Sequence, residues 1–376
     1  MIEQEDVSRR SFLGKAPVAG VMLGGRPVHR QELVDEAPNV PKELRIGSLN
    51  VGAYSHFPAK WAAMINPRRE SDEIAYTGMR ITHCWDIDAD KSKGFAREYG
   101  CVAVKEFDDM LGKVDAVISG GYYNHAHNHL LHEPYLKAGL PNLVNRPLAN
   151  SVSKGQRLVE LARRHKAPLL VPSALGHNNV VAQARQFVES SRVLGYHAAV
   201  SAEDYPTHGI HGLYMLSRVV ADASNPIQAV SFRAKHWYSS PGVLTYEHID
   251  KEGRPFFGTL HTGNFGSGSM HVHTDSEVHG RNFSLTMGRG TPYNTTEFWA
   301  PLMWVFEQMA RTGKMPQSYD QILRKNRAYM AGWRSILTTE GSPVRLESVP
   351  PDWESPVALP NQPGDNNQAV WKRRFG

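Results

Sequence analysis

Val114-Asp115-Ala116-Val117-Ile118-Ser119-Gly120-Gly121 is a short apolar run closed by two glycines. A run of that length and β-branched content reads as a strand covered on both faces, the kind found in a parallel sheet. The pattern repeats outward from it. Upstream, Leu44 to Val51, Met79 to Asp86 and Cys101 to Lys105 read as strands. Between them Phe57 to Ile65, Lys91 to Tyr99 (stopped by Gly100) and Phe107 to Leu111 read as helices. Downstream come a helix over Asn124 to Ala138 closed by Gly139, a strand at Asn142 to Asn145, a helix over Ser153 to Lys166 and a strand at Ala167 to Val171. Strands alternating with helices require right-handed crossovers, so this half is expected to be an α/β, doubly wound parallel sheet with helices on both faces. Ligands of such sheets lie beyond the carboxyl ends of the strands.

The second half changes character. Helical spacing at Asn179 to Ser190 and Ile210 to Val220 gives way to strand-like runs at Ala229 to Trp237, Gly242 to Ile249, Phe256 to Thr262, Ser267 to Val278 and Asn282 to Met287. Helices are expected over Thr296 to Thr312 and Ser318 to Leu337. The expected layout is a leader at 1–30, a linker at 31–43, the parallel-sheet domain at 44–172, an α+β domain at 173–350 and a tail at 351–376.

Composition narrows the class. The chain has 376 residues, 41% hydrophobic and 21% charged, which is ordinary for a globular protein of two domains. Its net charge of +5 is spread along the chain and forms no basic stripe, so no nucleic-acid partner is expected. The basic end Trp371-Lys372-Arg373-Arg374 reads as a solvated tail. Two cysteines, Cys84 and Cys101, make no disulfide framework and no metal spacing; both read as small buried hydrophobes. No apolar run after the leader is long enough to cross a membrane.

The leader is more specific. Ser8-Arg9-Arg10-Ser11-Phe12-Leu13-Gly14-Lys15 resembles a twin-arginine export signal, followed by a short, mildly apolar stretch from Ala16 to Gly25. The expectation is export, to the periplasm or an equivalent compartment.

The first strand should carry a glycine fingerprint if the sheet holds a dinucleotide. The three positions fall on Asn50, Gly52 and Ser55. The middle glycine allows backbone to approach a pyrophosphate, and Asn50 tolerates left-handed backbone. An ordinary strand-turn-helix fits this loop equally well. Asp86, ending the second strand, is placed to accept hydrogen bonds from an adenosine ribose and favours NAD over NADP, although Asp88 and Asp90 close by allow a plain loop carboxylate.

Several segments in order resemble the Gfo/Idh/MocA oxidoreductases, the relatives of glucose–fructose oxidoreductase and inositol dehydrogenase. They are Trp85-Asp86-Ile87-Asp88 through Tyr99-Gly100, Val114 to Ile118, Tyr135 to Gly139, Val144-Asn145-Arg146-Pro147-Leu148-Ala149, and Thr207-His208-Gly209-Ile210-His211-Gly212. The resemblance implies a Rossmann domain followed by an α+β domain with an open, mostly antiparallel sheet. It implies a tightly bound NAD or NADP, a small carbohydrate-like substrate and a homo-oligomer. It places cofactor contacts at Asn50, Gly52, Asp86, Gly120, Tyr122, Asn145 and Arg146.

Two departures matter. The family's Glu-Lys-Pro becomes Asn145-Arg146-Pro147, and its Asp-x-x-x-His becomes Thr207-x-x-x-His211. Arginine cannot act as a base, so Arg146 is expected to orient a substrate oxygen, and His211 to transfer the proton. Thr207, His208, His211 and Arg146 are the expected substrate contacts. The activity implied is hydride transfer at a secondary hydroxyl of a sugar, cyclitol or glycoside. A redox-neutral glycosidase or epimerase, and a binding protein without activity, remain the alternatives. His125, His127, His129 and His132 suggest a metal cluster, but a solvated helix start is preferred and no metal is expected. His271 and His273 share a strand face, either lining a pocket or pairing across the surface. Trp299, Trp304, Phe306 and Trp333 are expected in the core.

Overall fold

The computed structural model describes residues 43–52, 55, 57–66, 78–177, 179–201, 205, 209–236, 239–263, 268–276, 282–287, 296–357 and 368–375. The export signal, the linker up to residue 42, Thr207 and His208 lie outside the described residues. So do Trp237 and most of the glycine turn between 263 and 268.

The first sheet is built from β1 (Leu44–Leu49), β2 (Met79–Trp85), β3 (Val102–Ala103), β4 (Ala116–Ser119), β5 (Asn142–Val144) and β6 (Leu169–Leu170). All its pairings are parallel, in the order β3-β2-β1-β4-β5-β6. This is the expected α/β, doubly wound arrangement. The order reverses between β1 and β4, which opens a crevice at their carboxyl ends. Every residue of β4 is buried, as its unbroken apolar run requires.

The helices follow local chemistry. After a π-helical turn at Phe57–Trp61, α1 (Ala62–Ile65) is short. In α2 (Ala89–Tyr99) the Asp88 side chain accepts from Asp90 N and Lys91 N, and Gly100 ends the helix at φ 66°. The single helix expected over Asn124 to Ala138 is instead a turn followed by α3 (Asn128–Leu131) and α4 (Glu133–Lys137). Pro134 explains the break, because it lacks an N–H and its ring crowds the carbonyl one turn back. Ser151 caps α5 (Val152–Arg164). The expected helix over Phe107 to Leu111 is a set of turns.

The second sheet has the order β12-β11-β7-β10-β9-β8-β13. Its strands are β7 (Val193–Ser201), β8 (Ile227–His236), β9 (Ser239–Ile249), β10 (Pro255–Gly263), β11 (Gly268–Thr274), β12 (Asn282–Met287) and β13 (Val344–Arg345). Only β7 and β10 pair in parallel, so the sheet is mostly antiparallel as expected. Sequence reading missed β7, although Tyr196, Ala198 and Val200 alternate inward along it. One face is covered by α7 (Ile210–Val219) and α9 (Tyr319–Thr338), the latter started by a Ser318/Gln321 capping box. The remaining helices are α6 (Asn179–Glu189), α8 (Thr296–Thr312) and α10 (Gln368–Phe375).

The tail corrects the sequence reading. It is no solvated end: α10 lays Trp371, 4% exposed, against Trp85 and stacks it on His127 at 5.2 Å. Phe375 meets Phe107, and Arg374 pairs with Glu106. The helix covers the first sheet where the β3-to-β4 connection makes only turns. Trp299, Phe306 and Trp333 are buried as expected, whereas Trp304 is 48% exposed. Cys84 is buried, and Cys101 is half-buried just ahead of β3. No helix among the described residues is long and apolar enough to cross a membrane.

Candidate active site

The carboxyl ends of β1, β2, β4 and β5 meet in one crevice. Asn50, directly after β1, has φ 58°, the left-handed backbone its residue type tolerates. Its side chain is buried, and neither amide atom has a hydrogen-bond partner among the described residues. A buried amide with both ends unsatisfied is costly unless a ligand supplies partners.

Asp86 stands beside it. Gly52 N donates to one carboxylate oxygen at 2.7 Å and Asp88 N to the other at 3.0 Å. Burial pushes its carboxyl up to about 6, against those two backbone donors. A Cβ on Gly52 would lie 3.0 Å from Asp86 Oδ2, so glycine is what permits the contact. Two oxygens can accept more bonds than the backbone supplies, and ribose hydroxyls fit the remainder. Gly120 is held for another reason. A side chain there would press into Ser55 Oγ and the Phe57 ring, so this glycine seats the first loop against β4.

The end of β5 is rigid. Asn145 donates to Gly120 O at 2.9 Å and Gly121 O at 3.1 Å, tying β5 to the turn after β4. Its Oδ1 accepts from Arg146 Nη1 at 2.7 Å. The Arg146 guanidinium, 4% exposed, lies 5.6 Å from the Tyr122 ring centroid. Arg146 Nη2 donates to His211 Nε2 at 2.5 Å. The other ring nitrogen, His211 Nδ1, is 2.7 Å from Ser173 Oγ, which also accepts from Leu175 N at 3.2 Å.

The donors fix the tautomer. A guanidinium can only donate, so Nε2 must present a lone pair. The proton then sits on Nδ1 and is given to Ser173 Oγ. His211 is thus a neutral ring whose basic nitrogen faces Arg146, half-buried at the start of α7. Tyr214, one turn along, is buried; burial raises its phenol, with Arg146 nearby acting in opposition.

The structure brings together Asn50, Gly52, Asp86, Gly120, Tyr122, Asn145, Arg146 and His211 around this crevice. Sequence reasoning missed Ser173 and Tyr214. Ser173 had one usable signal, its place just past the last strand of the first sheet.

The histidine run is not a solvated helix start. His125 is 1% exposed and His132 fully buried, and His132 Nδ1 pairs with Asn142 Oδ1 at 2.7 Å. Among the described residues no group of three or more histidine, cysteine or acidic side chains is set to hold a metal. His271 and His273 stand on the second sheet's outer face, alternating with buried Met270 and Val272, with ring centroids 4.7 Å apart. His197 joins them across the strands at 5.9 Å from His273.

Known proteins share the fold that carries this site. Residues 49–173 match the model GFO_IDH_MocA, described as "Oxidoreductase family, NAD-binding Rossmann fold". No curated protein matches the sequence. Among solved structures, myo-inositol dehydrogenase from Lactobacillus casei, in complex with NAD(H) and myo-inositol, superposes with a TM-score of 0.66 at 11% identity, covering 81% of this chain and 96% of its own. Scyllo-inositol dehydrogenase from the same organism, with NAD(H) and scyllo-inositol, gives 0.63 at 12%, covering 82% and 100%. A probable dehydrogenase from Thermotoga maritima gives 0.63 at 14%, also covering 82% and 100%. At such identities the likeness establishes the fold. Residues 49–173 therefore form an NAD-binding Rossmann domain similar to that of the GFO_IDH_MocA oxidoreductases, and the chain as a whole shares its fold with the inositol dehydrogenases.

Proposed function

We propose that the chain is an NAD-dependent oxidoreductase acting on a secondary hydroxyl of a sugar, cyclitol or glycoside. The observation that carries this is the chain of contacts from Arg146 to His211 to Ser173, beside the crevice lined by Asn50 and Asp86. Asp86 and Gly52 would hold the adenosine ribose, and Asn50 a polar group near the first turn. When bound, the nicotinamide accepts a hydride from the substrate carbon or returns it.

The protein's own residues handle the proton. The substrate hydroxyl takes the place of Arg146 on His211 Nε2, which draws off the hydroxyl proton as the carbonyl forms. Arg146 swings from the ring onto the substrate oxygen and stabilises charge developing there. The resulting imidazolium keeps its Nδ1–H on Ser173 Oγ, so Ser173 is a positioning residue. The reverse reaction returns the proton along the same path.

Two further features belong to this reading. Ser8 to Lys15 supports export of the folded, cofactor-loaded protein; Arg9 and Arg10 changed together to lysine should leave it in the cytoplasm. Phe257, 57% exposed, and Val243 stand on the uncovered face of the second sheet, which supports a homo-oligomer.

The deciding experiment loads purified protein with NAD and follows reduced nicotinamide by absorbance over a panel of inositols, sugars and glycosides. His211→Ala should lower turnover by roughly two to four orders of magnitude with dinucleotide affinity unchanged. An unaltered protein that binds no dinucleotide removes the enzymatic reading altogether.

A further inference from the structure

Two buried asparagines flank Gly121 in the turn after β4. Asn50, 5% exposed, has no hydrogen-bond partner for either amide atom among the described residues. Asn124, 4% exposed, has none for its Oδ1. A Cβ built on Gly121 would meet Asn124 Oδ1 and lie 3.0 Å from Asn50 Cβ, so only glycine leaves room beside both side chains. Asn145 Nδ2 holds the turn in place through Gly120 O and Gly121 O.

A chain of contacts fixes which end of the Asn124 amide meets Gly121. Asn128 Nδ2 donates to Pro147 O at 3.3 Å and to Leu148 O at 3.0 Å. Backbone carbonyls only accept, so both hydrogens of that amide are spent and Asn128 Oδ1 must accept. It accepts from Asn124 Nδ2 at 2.8 Å. Asn124 Oδ1 is therefore the end turned to Gly121, and it offers only an acceptor. The Asn50 amide has no such constraint and offers both an acceptor and a donor. Burying three such atoms unpaired costs free energy that a bound group with matching polarity recovers.

That polarity selects the group. A phosphate brings only acceptors, so it would serve Asn50 Nδ2 while setting negative charge against Asn124 Oδ1. A hydroxyl both donates and accepts. One hydroxyl can donate to Asn124 Oδ1 and accept from Asn50 Nδ2, and a neighbouring hydroxyl can donate to Asn50 Oδ1. A vicinal diol thus matches all three atoms. Position selects which diol. Gly52, two residues past Asn50, donates to Asp86, the acid assigned to the adenosine ribose. On the other side Asn128 ties Asn124 to Pro147 and Leu148, directly after Arg146. The asparagine pair stands between the adenosine end and the reacting end. We propose, resting on the dehydrogenase reading, that Asn50 and Asn124 bind the two hydroxyls of the nicotinamide-side ribose. The first turn then reads a sugar, where a glycine fingerprint presents bare N–H groups to phosphate.

The test is calorimetric binding of NAD, ADP-ribose and ADP to the full-length protein. ADP-ribose lacks only the nicotinamide, and ADP lacks the second ribose as well. Asn50→Gly removes one amide and suits the backbone at φ 58°. Asn124→Ala removes the fixed acceptor. Each variant should bind NAD and ADP-ribose roughly tenfold more weakly, the weight of one or two hydrogen bonds, and ADP within about twofold of the unaltered protein. Asn124→Ala also strips Asn128 Oδ1 of its donor, so Asn50→Gly carries the test if that variant fails to fold. An equal loss for ADP, a loss for NAD without ADP-ribose, or full affinity for ADP-ribose in Asn50→Gly overturns the proposal. Full NAD affinity in the variants leaves the dehydrogenase reading standing. An unaltered protein that binds none of the three probes removes that reading and this proposal with it.

Discussion

Lowering the pH should unfold this protein through its buried histidines. Burial pushes His125 down to about 3, and His132 and His248 down to about 4, from an ordinary value of 6.5. All three are at most 1% exposed. The folded chain therefore binds fewer protons than the unfolded chain at pH values below 6.5, and stability falls with pH there. Stability is complete above 6.5 and is lost as the pH drops toward 4. Holding His132 or His248 neutral across that interval is worth about 3 kcal/mol each, and His125 somewhat more. Their total is on the order of 10 kcal/mol, comparable to the whole stability of an ordinary domain. Asp86 works in the opposite sense: its carboxyl is raised to about 6, so its neutral form favours folding as the pH falls from 6 toward 3.8. That single group contributes about 3 kcal/mol, and the histidines outweigh it. Denaturant titrations at pH 7.5, 6 and 5 measure the balance. His132→Gln keeps a donor for Asn142 Oδ1 and removes one titrating ring, so it should flatten the dependence by one group's share. A midpoint constant from pH 7.5 to 5, or rising as the pH falls, refutes the argument.

Three further outcomes follow from single contacts. Ser173→Ala removes the acceptor for His211 Nδ1 and should lower kcat by roughly tenfold with dinucleotide affinity intact, while Ser173→Thr restores it; equal loss in both variants would mean a packing defect. Asp86→Ala should weaken NAD binding by roughly ten- to a hundredfold, the weight of a charged acceptor; tighter binding of NADP than NAD by the unaltered protein counts against the assignment. Trp371→Ala should cost about 3 kcal/mol by opening the contact with Trp85 and His127, and an unchanged melting temperature would return the tail to a solvated role.

The parallel sheet was legible because both of its faces are covered. That forces unbroken apolar runs such as Ala116 to Ile118, and glycines such as Gly100 and Gly139 punctuate the helices. Legibility ended where one residue overrides a pattern. Pro134 splits a helix whose apolar spacing continues on either side of it. In β7 the inward positions include Ala198 and the outward ones Gly195 and Ala199, so the alternation carries little hydrophobic contrast. The tail fails differently. Trp371 and Phe375 stand among Lys372, Arg373 and Arg374, and only the short β3-to-β4 connection creates the surface they cover. Arg146 and His211 could be picked out by motif, whereas Ser173 had only its place after the last strand, a signal shared by many hydroxyls that have no motif spacing.

The arginine at 146 decides which nitrogen of His211 is basic, and that can be measured without any substrate. Its two terminal nitrogens point apart, Nη1 to Asn145 Oδ1 at 2.7 Å and Nη2 to His211 Nε2 at 2.5 Å. A planar fork spans those acceptors; a lysine ammonium is a single point on a shorter reach and cannot hold both. With arginine in place, Nε2 is an acceptor and the proton stays on Nδ1. In Arg146→Lys the ring loses that constraint, because Ser173 Oγ can donate to Nδ1 as readily as accept from it. Nitrogen-15 NMR of the His211 ring should therefore show one neutral tautomer, protonated at Nδ1, in the unaltered protein at pH 8, and a mixture in Arg146→Lys. If the ring already samples both tautomers with arginine present, Arg146 does not set the basic nitrogen, and the exchange of Arg146 for a substrate hydroxyl on Nε2 loses its structural basis.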